Sequence, residues 1–147
     1  MSSESDHLAL AERNQGVINF LLTDAAKHPD WIVTVAFYKA VHLVEALFAR
    51  FNSVCHGGSH VRREEIMKSR ADSRYKKIYP HYMALKQASC VARYLAVSSG
   101  SSRYFRRFED YLTAEKVQSE MLGHRLRSIE KSAKGMLTKK KAAKKKS

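Results

Sequence analysis

Cysteine, proline and glycine are all scarce in this chain of 147 residues, and each scarcity excludes something. The two cysteines, Cys55 and Cys90, stand in no C-x-x-C spacing, so neither a zinc site nor a disulfide framework is expected, and no cofactor is implied. Two prolines and six glycines are few for a chain of short strands joined by tight turns. No run approaches the roughly 18 uninterrupted apolar residues of a membrane span, because Lys39, His42, Glu45 and Arg50 break the best one. The opening MSSESDHLAL has neither the basic nor the apolar region of a secretion signal, so a cytoplasmic protein without a membrane partner is expected. No G-x-x-x-x-G-K-[ST] loop, nucleophile elbow or internal repeat occurs.

Acid is scarce too. Against 14 Asp and Glu stand 27 Lys and Arg, for a net charge of +13. Eight of those lysines, and no acid, fall in residues 131–147, where Lys139, Lys140 and Lys141 open the run KKKAAKKKS. That run has almost nothing to bury, so a lysine-rich tail at 135–147, disordered when free, is expected after one domain at 1–134. Its partner is any polyanion, since lysines neutralise phosphates and release counterions without reading sequence. A basic tail can equally serve solubility alone.

What the chain does contain is helical periodicity. A first helix is expected over His7–Leu22, capped by Ser5 or Asp6, and a second over Asp30–Phe51 with Asp30 as N-cap. Ser59 can cap a short charged helix from His60 to about Arg70. Ser73–Val97 keeps helical spacing, with Pro80 marking a first turn or a kink. SSGSS at 98–102 reads as a loop, and Arg103–Tyr111 as a brief helix packing Tyr104, Phe105, Phe108 and Tyr111. A last helix starts at Thr113 and should fade by Leu137. The fold class is therefore all-α: an antiparallel four- to five-helix bundle with a short extra helix.

The second helix carries one polar stripe. Thr34, Tyr38, His42 and Glu45 fall within one sector of it, either as its wettest face or as the lining of a cleft or interface. His60 and Arg63 share a side at the start of the third helix, where an N-terminus favours anions. His56 and His60 flank Gly57-Gly58, which is a turn first and does not complete a metal ligand set. Arg103-Tyr-Phe-Arg-Arg interleaves bases and rings, so that Arg103, Arg106 and Arg107, with Arg93 and the tail, suit single-stranded nucleic acid. Gly123-His124-Arg125 is read as no site, because adjacent helical side chains diverge by about 100°.

With these elements placed, Asp30-Trp31 entering an aromatic helix with Phe37 and Tyr38, His60 with Arg63, and Tyr82, Leu85, Ser89, Ala92, Arg93 and Tyr94 resemble the successive signatures of bacterial HEPN-like proteins (higher eukaryotes and prokaryotes nucleotide-binding domain). The resemblance covers about residues 7–134. It implies a helical bundle that often dimerises, binds RNA or a nucleotide, and in many members is a metal-independent ribonuclease of toxin or phage-defence systems. A companion antitoxin or nucleotidyltransferase is then an expected partner. The family's Arg-x(4–6)-His element is matched in spacing by Arg50 with His56 and by Arg74 with His81, though Phe51 and Tyr75 follow the arginines where a polar residue is usual. On this reading His60 or His56 moves a proton while Arg63 or Arg50 holds phosphate. Two other functions fit the same residues: a non-catalytic interaction module that pairs with itself or a companion, and a DNA-associated protein working through its tail.

Overall fold

The computed structural model describes residues 2–53, 59–97 and 103–146, with side chains described as far as Thr138. The fold is an all-α bundle. Its elements are α1 (Glu4–Leu22), α2 (Pro29–Phe51), α3 (His60–Lys68), a 3-10 turn (Ser73–Tyr75), α4 (Tyr79–Tyr94), a second 3-10 turn (Phe108–Asp110), α5 (Ala114–Lys116), a π-helical segment (Val117–Leu126) and α6 (Arg127–Lys146). The last three follow one another without a break and make one long rod.

Capping explains several starts. Ser3 accepts from the Asp6 amide while the Asp6 carboxylate accepts from the Ser3 amide, a reciprocal box that begins α1 three residues earlier than His7. Ser59 and Thr113 cap α3 and α5 as expected. Asp30 does not cap α2. The helix begins at Pro29, whose fixed φ suits a first turn, and Asp30 lies inside that turn near the positive helix end. Pro80 acts the same way one residue into α4, so the expected helix from Ser73 is a 3-10 turn followed by a fresh start at Tyr79.

α2 is the centre. It packs against α1, α4, the π segment and α6, and Ile32, Val33, Ala36, Phe37, Ala40, Val44, Leu47 and Phe48 are almost wholly buried. Pro29–Phe51 is long and apolar enough to cross a membrane by length and composition, and 72% of its most apolar window lies inside the bundle. Its apolarity is thus accounted for by the core. Lys39, read from sequence only as an interruption of the apolar run, is 8% exposed and bonds Gln15 of α1 at 2.7 Å and Glu130 of α6 at 2.8 Å. One ammonium joins three helices.

The expected helix at 103–111 is reduced to a single 3-10 turn. Ala96 and Tyr104 form an antiparallel bridge, flanked by a 2.8 Å bond from the Phe105 amide to the Leu95 carbonyl, and only Phe108–Asp110 turns. Phe105 and Phe108 both touch the Tyr111 ring, whereas Tyr104 is 74% exposed. The rod passes the expected fade at Leu137 and continues to Lys146, since Ala142, Ala143 and the lysines are strong helix formers and neither Gly nor Pro follows Gly135. Met136 and Leu137 pack on the core, so the bundle extends past residue 134. The side chains of Lys139, Lys140 and Lys141, and the expectation placed on them, lie outside the described residues.

Candidate functional site

The polar stripe of α2 runs inward. Thr34 is buried and donates to the Asp30 carbonyl, Tyr38 is 41% exposed, His42 is half-buried, and Glu45 is buried. A wet outer face would have left Glu45 in water. Instead Glu45 receives Arg63 of α3, whose Nε donates to Oε1 at 2.8 Å with both side chains 2% exposed. Arg63 Nη1 also donates to His60 Nδ1 at 2.9 Å and, at 3.4 Å, to the Tyr82 hydroxyl of α4. The expected His60–Arg63 pair is real in space, but the arginine faces protein rather than solvent.

That arrangement fixes the chemistry of His60. A guanidinium only donates, so His60 Nδ1 must accept and the neutral ring carries its proton on Nε2. Burial first, then the Arg63 charge, hold this imidazole below its ordinary value, and the Phe37 ring stacks on it at 5.8 Å. Burial likewise pushes the Tyr82 hydroxyl up. His60 is thereby presented as a neutral hydrogen-bond donor, held by Arg63, with Glu64 of the same helix bonded to Lys86 of α4. Arg63 positions; it is not placed to hold phosphate.

The other expected residues are dispersed. His56 lies outside the described residues. Arg50 is spent on structure, bonding Glu4 of α1 at 2.8 Å and the Leu137 carbonyl of α6 at 2.9 Å. Arg74 pairs with Asp72 and covers the Phe51 ring, while His81 meets Arg125, so the two ends of that spacing serve different neighbours. His42 stacks on His7 with their Nδ1 atoms 3.2 Å apart. Burial first, then His7, lowers His42.

Tyr94 ends α4, and the Ala96–Tyr104 bridge ties Arg103–Phe105 to the residues that follow that helix. Arg93 lies over the Tyr94 ring at 5.1 Å and Arg103 over the Phe105 ring at 5.1 Å. Arg106 is exposed and Arg107 pairs loosely with Asp110. Next to Arg93 a cleft of about 240 Å³ is lined by Asp30, Trp31, Thr34, Ala92 and Arg93. Trp31 is 59% exposed, Tyr94 66% and Tyr104 74%. Trp31 stands in the first turn of the proline-started α2, at the end of the helix rather than in its buried middle.

No protein-family model, curated protein or solved structure matches this chain. Among the described residues no group of three His, Cys, Asp or Glu could hold a metal.

Proposed function

We propose that this chain is a HEPN-like bundle that binds RNA or a nucleotide in the cytoplasm, with the surface around Trp31, Arg93, Tyr94 and Arg103 as the binding face. The observation that carries this reading is the exposed Trp31 beside a cleft lined by Arg93, whose guanidinium also covers the exposed Tyr94 ring. Bases stack on exposed rings, and arginines supply phosphate contacts and cation–π faces. A net charge of +13 adds long-range attraction.

Trp31 is the only tryptophan, so its fluorescence reports on the cleft directly. Titration with single-stranded RNA should quench it saturably, and Arg93→Ala should weaken binding about tenfold, the value of one charge-assisted contact. Unchanged fluorescence together with no change in the anisotropy of labelled RNA refutes the reading.

Cleavage is a second reading, favoured by the buried Arg63 that fixes His60 with a proton on its outer nitrogen. In that role His60 donates to a phosphate or leaving oxygen and Arg63 holds the ring. Incubation with RNA in EDTA should then show cutting by the wild type and none by His60→Ala. Equal cutting by both proteins removes His60 from any mechanism.

A further inference from the structure

One side-chain cluster belongs neither to the Arg63 network nor to the Trp31 cleft. His81 stands in the first turn of α4, and His124 and Arg125 stand on the π segment opposite. Arg125 Nη1 donates to His81 Nδ1 at 3.3 Å, and the His124 ring lies 5.2 Å from the His81 ring. The expectation that His124 and Arg125 diverge is corrected by this geometry. A π turn is wider than an α turn, so successive side chains splay less, and His81 sits where both can reach it.

Arg125 has no carboxylate partner among the described residues, and its Nε is buried without an acceptor. Glu120 lies 4.0 Å from His124 and is half exposed. The first turn of α4 contributes neither an acid nor a side-chain cap. A guanidinium, two imidazoles and the positive end of a sixteen-residue helix therefore converge with little negative charge among them. A purely structural arginine in a half-buried position ordinarily sits against a carboxylate. The complement of this set is an anion with several acceptor oxygens, and tetrahedral phosphate has that form.

We infer that His81, His124 and Arg125 bind a phosphate group at the start of α4. Because His81 Nδ1 accepts from Arg125, its neutral ring offers the N–H on Nε2 to the ligand. Without a ligand, burial first, then Arg125 and His124, hold the His81 imidazole low. A bound anion opposes those two charges, so binding raises the His81 pKa.

The test is an imidazole ¹⁵N–¹H titration of the full chain with inorganic phosphate, against sodium chloride at matched ionic strength. Saturable shifts at His81 and His124, with a raised His81 pKa, are expected from phosphate alone. Arg125→Gln should weaken the apparent affinity about tenfold, and His124→Asn, at a mostly exposed position, should weaken it with the helical signal unchanged. A 5′-phosphorylated oligoribonucleotide and its dephosphorylated counterpart identify the source. Shifts from the first alone assign a terminal phosphate, and shifts from both assign a backbone diester. Absence of saturation with phosphate, or an affinity untouched by both substitutions, overturns the inference. Trp31 fluorescence reads the other surface, so the two proposals fail separately.

Discussion

At the residue scale the deciding group is Arg63. Its charge is held in the interior against the Glu45 carboxylate, so removing one of the two leaves the other poorly compensated. Arg63→Ala should cost about 3–5 kcal/mol in urea denaturation, whereas a joint Glu45→Met, Arg63→Met replacement should recover much of that loss. A single variant as stable as the wild type contradicts the buried pairing. Histidines supply a second prediction. Burial holds His42, His60 and His81 below the ordinary 6.5, so the unfolded chain takes up protons first as the solution acidifies. Stability is complete above about 6.5 and is lost as pH falls through the lower folded values. The thermal midpoint should drop on acidification through that window, less steeply in His42→Gln. Periodicity placed Glu45 and His60 on helices and at the right faces, yet it could not show that they meet through Arg63, because a contact between α2 and α3 depends on how the residues between them turn.

At the element scale the rod departs furthest from expectation. Its apolar stripe of Leu122, Leu126, Ile129, Ala133 and Met136 is legible because it follows three-and-four spacing, and all five bury or pack on the core. The π segment was not legible, since stripe positions tolerate one extra residue in a turn and no residue type announces it. Gly123 is its local trace: a Cβ there would stand 3.2 Å from the Gln118 carbonyl, five residues back. Gly16 of α1 has nothing within 4 Å. Gly16→Ala should therefore raise stability by about 0.5–1 kcal/mol, while Gly123→Ala should give no such gain. Equal gains in thermal denaturation would remove the crowding argument. The Ala96–Tyr104 bridge was equally hidden, because two residues of pairing make no alternating pattern.

At the scale of the whole molecule, charge and fold can be separated. Ending the chain after Thr138 removes six lysines but no described core contact, and ending it after Lys134 also removes Met136, Leu137 and the carbonyl that Arg50 holds. The first truncation should leave the thermal midpoint unchanged and flatten the salt dependence of RNA binding; the second should lower the midpoint as well. Loss of all RNA binding in the first would favour the tail as the whole source of affinity.

Arg50 also decides how the molecule can be handled. The same guanidinium grips Glu4 in the first turn of α1 and Leu137 near the end of the buried rod, so both extremities of the bundle emerge at one pole. Trp31 is nineteen residues back along α2, about 29 Å away at 1.5 Å per residue. A dye, tether or fused domain attached before Ser3 or beyond Leu137 therefore leaves from the pole remote from the aromatic cleft, and immobilisation through either extremity presents that cleft outward.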